Sequence, residues 1–211
     1  MSRTLRVDSI VLRAIDISEA DRFCILFTRE KGRLAARAKG VRKTSSRLGS
    51  LLLPFRHLSI EIAESDHSAV ITSASDSNGV LTEHLPLIAF LRLEQGIELL
   101  LSLTEENEPI NGVFDLLLQF ITLAPSEIDP LPAFQLRLLH LLGFLPTVSD
   151  DARFRALPPN VRPFISAIAQ TSSLHELSTT EYPVSTIERF IATLLIDHMD
   201  RPLKSSGMSL V

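Results

Sequence analysis

Five short runs of apolar and β-branched residues, separated by turn-forming residues, occupy the first part of the chain. In several of them apolar and polar positions nearly alternate, the pattern of a strand with one buried face. In chain order the runs are Leu5–Ile15, Arg22–Thr28, a basic strand that begins at Gly32, Phe55–Ala63 and Ala69–Ala74. Five strands within about 80 residues predict a small closed barrel or a sandwich.

Longer apolar segments follow the turn-forming cluster Ser75–Gly79, and they read as helices. The predicted helices are Pro86–Thr104, Val113–Leu123, a third from Asp129 or Pro132 to a stop at Gly143, Phe164–Gln170, and an amphipathic helix begun by a capping box at Ser185–Glu188. The proline-containing segment Thr147–Pro163 is predicted to be a loop. We therefore expect an α+β protein with a β-domain over residues 1–78 and a helical domain over residues 79–211.

Charge is distributed unevenly along the 211 residues. Residues 1–60 hold 13 Lys+Arg against 5 Asp+Glu, whereas the remaining residues hold 8 against 20, so the chain's net charge of −4 conceals a basic N-terminal part. Cys24 is the single cysteine, which excludes an internal disulfide. No apolar window is long enough to span a bilayer, and the N-terminus does not resemble a signal peptide, so we expect a cytoplasmic protein.

The basic stretch Gly32–Arg47 contains six cations and no acidic residue. Because side chains two apart on a strand share a face, its cations are expected on one face and its small apolar residues on the other. Such a face could simply be solvated, but it also matches the grooves that track phosphates in small-barrel binders of single strands. Our hypothesis is that phosphates contact Arg33, Arg37, Lys39, Arg42, Lys43 and Arg47, with Arg22 and Arg29 as further candidates.

Aromatic side chains on which bases could stack are the second feature of such binders. Phe23, Phe27 and Phe55 are available. Since Phe23 and Phe27 share one strand face with Ile25, core packing is the expected role of at least one face of that strand.

Nothing in the sequence predicts catalysis. The six histidines are scattered without metal-ligand spacing, and no phosphate-binding loop, dinucleotide fingerprint or nucleophile elbow occurs. Cys24 lies in an apolar strand and reads as a buried thiol. We predict a protein that is not an enzyme and that holds neither a metal nor another cofactor.

Several strings, in order across nearly the whole chain, resemble the RecO family of bacterial DNA repair proteins, which are recombination mediators. They are Ile10–Arg13, Ser18–Arg22, Leu26–Glu30 with Gly32-Arg33, Ala38–Gly40, Arg47–Gly49 with Leu52 and Pro54-Phe55, Phe134 with Leu136–Leu139, Leu141–Pro146 and Arg201–Ser205. The resemblance implies an N-terminal five-stranded oligonucleotide-binding (OB) barrel followed by an all-helical C-terminal domain.

The resemblance also implies a role and partners. Proteins of this family bind single- and double-stranded DNA, anneal complementary strands and help to load RecA on DNA coated with single-strand-binding protein. They work with RecR and contact the C-terminal tail of single-strand-binding protein through the helical domain. Such an acidic tail requires cations, for which Arg92 and Arg137 are candidates on the helices. A nucleoid-associated protein is expected.

One departure from the family concerns zinc. Many members carry a four-cysteine site after the helix that ends in Gly-Phe/Tyr-x-Pro, but this chain has no cysteine there. The zinc hairpin is therefore predicted to be deleted at about residues 147–163, and no metal is expected. Two rival functions remain: a generic RNA-binding small-barrel protein, which would not anneal strands, and a protein-interaction adaptor, which would bind little DNA even at low salt.

Overall fold

The computed structural model describes residues 3–43, 46–65, 68–77, 85–145, 152–179 and 183–196. The chain divides into two compact units. The first comprises Met1–Leu85 with Thr104–Pro109, and the second comprises Pro86–Leu103 with Ile110–Val211. The domain boundary predicted between residues 78 and 79 lies outside the described residues.

The first unit is a closed barrel with the strand order β1-β2-β3-β5-β4. Its strands are β1 (Arg3–Asp16), β2 (Arg22–Thr28), β3 (Gly32–Ala38), β4 (His57–Ser65) and β5 (Ser68–Asp76). Neighbouring strands are antiparallel except β3 and β5, which pair in parallel. Strand β4 pairs back to β1 and closes the barrel. This arrangement confirms the predicted five-stranded barrel.

The barrel core is formed by the apolar positions that alternate along each strand. Leu26, Leu58, Ile60 and Ile62 are among its fully buried side chains. A short helix, α1 (Leu48–Leu51), packs partly buried leucines against this core. The sequence pattern did not predict α1, because four residues are too few to show a helical period.

The second unit is built of helices in its described part, as predicted. They are α2 (Leu87–Leu103), α3 (Val113–Leu123), α4 (Leu131–Leu141), α5 (Ala152–Ala156), α6 (Arg162–Gln170), α7 (Leu174–Thr179) and α8 (Val184–Ile196). The predicted loop Thr147–Pro163 is partly wrong, since it contains α5 and the first two residues of α6. Residues 146–151 lie outside the described part. Helix α7 was not predicted, and α8 begins one residue before the predicted cap Ser185. None of the described helices is both long enough and apolar enough to span a bilayer.

A buried aromatic pair lies in the helical core. The rings of Phe120 on α3 and Phe134 on α4 stack with centroids 4.1 Å apart and planes inclined by 15°. Gly96 on α2 makes room for them, because a Cβ at this position would lie 2.4 Å from Phe120 Cε1. Three helices can therefore approach closely at this point.

The segment Thr104–Pro109 belongs to the barrel unit although it follows a helix of the other unit. We call it the connector. The backbone N–H of Asn107 donates to the carbonyl of Arg33 over 2.8 Å. Gly32, at φ +65°, faces the connector so closely that a Cβ would lie 2.2 Å from the carbonyl oxygen of Glu108. The connector is thus fixed against the first two residues of β3, Gly32 and Arg33.

Candidate nucleic-acid interface

The basic strand β3 has the two faces that its sequence predicts. Leu34, Ala36 and Ala38 are at most 4% exposed and belong to the barrel core. Arg37, and Lys39 just after the strand, are exposed, whereas Arg33 is half-buried. Gly40 follows with φ +68°, a conformation that favours glycine, and begins the turn that carries the next cations.

Arg37 is engaged by an acidic residue from the turn between β1 and β2. Its Nη2 lies 2.5 Å and its Nε 3.0 Å from Asp21 Oδ2, while Oδ1 of the same carboxylate accepts the N–H of Gly40 over 2.8 Å. The bond from Gly40 and the bond from Arg37 hold the pKa of Asp21 below its usual range. Asp21 therefore both neutralises a cation and shapes the start of the basic loop.

Asp16 engages two further cations of the predicted site. Its Oδ1 accepts from Nε of Arg22 over 2.8 Å, and its Oδ2 lies 3.1 Å from Nε of Arg42. The bond from Arg22 contributes most to the lowered pKa of Asp16. Arg22 also donates from Nη1 to the carbonyls of Gly49 and Leu52, at 3.3 and 2.9 Å, and its side chain is only 15% exposed. Arg22 ties α1 to the barrel, whereas Arg42 is still 39% exposed.

Arg29 lies in a separate polar cluster. Its Nε is 3.2 Å from Asp8 Oδ2, and Asp8 Oδ1 lies 2.6 Å from Nε2 of the buried His57. The N–H of Arg29 also donates to the carbonyl of Asp8 over 2.9 Å. Arg29 is thus partly used in joining the end of β2 to the middle of β1.

Lys39, Lys43 and Arg47 complete the predicted set, and all three are exposed. Within the described residues, none of them forms an ion pair with a carboxylate. Of the eight residues predicted to contact phosphates, these three are the most accessible to a phosphate. Arg37 and Arg42 would have to exchange their carboxylate partner for a phosphate. The phosphate-binding role of all eight stays a prediction.

The three phenylalanines are placed differently. Phe27 and Phe55 are 1% and 2% exposed, so they have little surface to offer a base. Phe23 is half-buried on the outside of the barrel, between exposed neighbours. The sequence grouped Phe23 with Phe27 because both lie on the same face of β2. It could not show that this face is buried at Phe27 but partly exposed at Phe23.

The two cations suggested for a partner site make contacts inside the helical unit. Arg92 is 8% exposed; its Nη1 donates to the carbonyls of Ala124 and Ser126, and its Nε lies 3.2 Å from Asp129 Oδ1. Arg137 donates to the carbonyl of Ile168. Both arginines join helices or loops of this unit, and their predicted role toward a partner stays a prediction.

The helical unit has a surface depression of about 350 Å³, and one of its lining residues, Asp115, is acidic. It is lined by Asp115, Leu118, Gln119, Thr122, Leu123 and His175. Its apolar walls would suit a peptide side chain, but neither Arg92 nor Arg137, the cations suggested for an acidic tail, is among its lining residues. The depression therefore does not coincide with the suggested partner site.

A reactive thiol or a cluster of metal-ligating side chains would be a sign of chemistry in the described part of the chain. Burial raises the pKa of the Cys24 thiol to about 11, so the thiol stays protonated and unreactive. Among the described residues no group of three or more His, Cys, Asp or Glu side chains could hold a metal ion. The prediction of a metal-free protein is not decided by this observation.

A five-stranded closed barrel with exposed cations on one strand and its loop defines the class of small oligonucleotide-binding barrels. Residues 1–79 match the family model "Recombination protein O N terminal", and residues 95–165 match "Recombination protein O C terminal". The chain belongs to the RecO family.

Relatives named DNA repair protein RecO support this membership. The protein of Myxococcus xanthus is 37% identical over 74% of this chain and 65% of its own length. That of a Nocardioides species is 35% identical over 70% and 63%, and that of Streptomyces coelicolor is 34% identical over 74% and 67%. The chain thus spans roughly two thirds of the length of these relatives.

Proposed function

We propose that this protein is a recombination mediator in DNA repair that acts by binding, without catalysing a covalent reaction. It would bind single- and double-stranded DNA on the barrel, anneal complementary strands and help RecA to load on DNA coated with single-strand-binding protein. The observation that carries the proposal is the outward row of cations on β3 and its loop. Among the described residues, Lys39, Lys43 and Arg47 of this row are exposed and form no ion pair with a carboxylate.

Annealing follows from electrostatics. Two complementary strands repel each other through their phosphates, and a basic surface that screens both backbones lowers this repulsion. Base pairing then supplies the driving force, and the contacts that position the strands carry no sequence information. The helical unit is acidic, because Pro86–Leu103 and Ile110–Val211 together hold 12 Asp+Glu against 8 Lys+Arg. DNA would therefore be confined to the barrel, leaving the helices for protein partners.

The partners proposed on the same basis are RecR, the C-terminal tail of single-strand-binding protein and, indirectly, RecA. The helical unit would receive the tail. Arg92 and Arg137 are engaged internally, so the tail would need to exchange with those contacts or use cations elsewhere on this unit. Pull-down of the chain by a peptide with the tail sequence, compared with the same peptide lacking its acidic residues, tests this part.

The test of DNA binding is fluorescence anisotropy of a labelled single-stranded oligonucleotide and of its duplex, titrated at several salt concentrations. The variant is Lys39→Ala/Lys43→Ala/Arg47→Ala. Three lost phosphate contacts should reduce the slope of log affinity against log salt by about 2 on single strands and about 3 on duplex. A matched control is Arg155→Ala/Arg189→Ala, which removes exposed arginines from the helical unit and should leave both slopes unchanged.

Strand annealing is then measured with complementary labelled oligonucleotides, with and without single-strand-binding protein. The wild type should accelerate annealing and the triple variant should not. Preference for structured RNA without annealing would support the generic RNA-binding function instead. Absence of binding to either nucleic acid at low salt would refute the proposal for this chain and favour the adaptor.

A further inference from the structure

The outside of the barrel carries an apolar patch directly beside the basic strand. We call Ile15, Phe23, Ile25 and Ala35 the outer patch. Strand register places Ile15 opposite Phe23 and Ile25 opposite Ala35, so the four residues form two adjacent cross-strand rows over β1, β2 and β3. Side chains directly opposite each other lie about 5 Å apart, which makes the surface continuous.

The outer patch is not part of the barrel core. Its residues on β2 alternate with Cys24 and Leu26, which are fully buried inside the barrel. Phe23 and Ile25 therefore point outward, and both are half-buried. Ile15 is 50% exposed, and Ile17 in the following turn is 48% exposed. Exposed isoleucines beside an outward aromatic ring indicate a surface for binding.

Cations border the outer patch on the β3 side. Arg37 lies directly opposite Phe23 in the β2–β3 register, and Lys39 follows two residues later on the same face. On the other side, Arg13 of β1 lies opposite Ile25. A ligand that lies on the outer patch therefore meets cations on the β3 side and at this one position on the β1 side. The ligand must present a flat apolar surface and a line of negative charge side by side.

We propose that the outer patch is a base-stacking platform for single-stranded nucleic acid, with Phe23 as its stacking residue. This inference rests on the proposed function and adds the strand preference to it. An unpaired strand presents base faces on one side and phosphates on the other, which matches an aromatic and aliphatic surface edged by cations. A duplex keeps its bases stacked inside and would reach only the cations.

Charge decides between this ligand and a second copy of the chain. Two copies that met through their outer patches would bring Arg37 and Lys39 of both copies close together, and like charges oppose such contact. A nucleic acid strand instead brings phosphates to the same cations. The outer patch and the basic strand thus fit one ligand.

The absence of tryptophan from the chain gives a direct test. Phe23→Trp introduces a single indole at the centre of the outer patch. Its emission should be strongly quenched when an oligothymidylate strand is added and much less by a duplex of equal length, because only unpaired bases can stack on it. Phe90→Trp, at a position in α2 that is 42% exposed, is the matched control and should show no such quenching.

Affinity provides the second measurement. Phe23→Ala should weaken binding to the single strand by about tenfold or more while leaving duplex affinity and both salt slopes unchanged. Phe23→Leu keeps the apolar volume without the aromatic face and should show most of the same loss, which separates stacking from a folding defect. Equal quenching by duplex, or undiminished affinity of Phe23→Ala for the single strand, would overturn the proposal.

The two proposals fail in different ways. If the Lys39/Lys43/Arg47 variant loses affinity but the Phe23 variants do not, phosphate binding stands and the stacking platform is wrong. If neither set alters binding, the barrel face is not the DNA site at all. If Phe23→Ala instead abolishes self-association and leaves binding intact, the outer patch is an interface between copies.

Discussion

Replacing Gly32 by alanine tests how tightly the connector is fixed to the barrel. Gly32 adopts φ +65°, and the Cβ of an alanine there would lie 2.2 Å from the carbonyl oxygen of Glu108. That oxygen is backbone, so the connector itself must move. Movement would strain the bond from the N–H of Asn107 to the carbonyl of Arg33. We expect a loss of stability that exceeds the usual cost of alanine at positive φ.

Gly40 supplies the matched control. Its φ of +68° is nearly the same, but the nearest atom to its added Cβ is Cδ of the flexible Lys43 side chain at 3.9 Å. Gly40→Ala should therefore cost only the backbone conformation, about 1–2 kcal/mol. Gly32→Ala adds overpacking of about 1–3 kcal/mol and part of a hydrogen bond of about 1 kcal/mol. The lower entropy of the unfolded chain affects both variants equally and cancels from the comparison.

The assay is urea unfolding followed by circular dichroism, with the free energy of unfolding taken from the barrel transition. We expect Gly32→Ala to be less stable than Gly40→Ala by about 2 kcal/mol or more. Equal destabilisation of the two variants would refute the reasoning, because it would show that the connector does not press on Gly32. Stability equal to wild type for both would refute the backbone argument as well.

Two further predictions concern the ion pairs and the helical core. Asp21→Asn removes the carboxylate that competes with a phosphate for Arg37, so affinity for single strands at a given salt concentration should rise, by up to about fivefold for an exposed ion pair. Because the folded pKa of Asp21 is lowered, its stabilising effect is present above the ordinary carboxyl pKa and is lost as pH falls through the lowered value, and the variant should lack that part of the acid dependence of unfolding. Affinity equal to or below that of the wild type would contradict this. Gly96→Ala forces a Cβ to 2.4 Å from Phe120 Cε1 and 3.1 Å from Phe134 Cε1, so calorimetry should show a lower melting temperature, with a cost of about 1–3 kcal/mol that the better helix propensity offsets by about 1. A melting temperature at or above wild type would contradict it.

The elements that sequence predicted best are those with a strong period and clear ends. Strand Arg22–Thr28 and helix Val113–Leu123 have the bounds that were predicted. The miss at Ala152–Ala156 has a physical cause, since a one-turn helix between prolines has too short a pattern to register. Short helices form because tertiary contacts complete them, and those contacts are invisible along the chain.

The candidate site shows a different limit of sequence reasoning. The two faces of β3 follow from alternation alone, and the structure has them as predicted. What the basic stretch could not show is its acidic partners. Asp16 ends β1 and Asp21 lies in the turn before β2, and both reach the cations only through the pairing of β1, β2 and β3. A run without acidic residues is therefore not a run without ion pairs.

Those ion pairs bear on how a mediator would work. In the Arg37–Asp21 pair the arginine side chain is 49% exposed and the carboxylate 16% exposed, and Asp16 is 41% exposed. Ion pairs that solvent reaches in this way are weak and readily exchanged. A phosphate can displace Asp21 from Arg37 while the carboxylate stays bonded to the N–H of Gly40 and keeps the turn in shape. When the nucleic acid dissociates from the barrel, Arg37 can pair again with Asp21 and is not left unpaired. This lowers the free-energy cost of dissociation. Binding that is readily reversed would suit the proposed role, in which strands are brought together for annealing and then released.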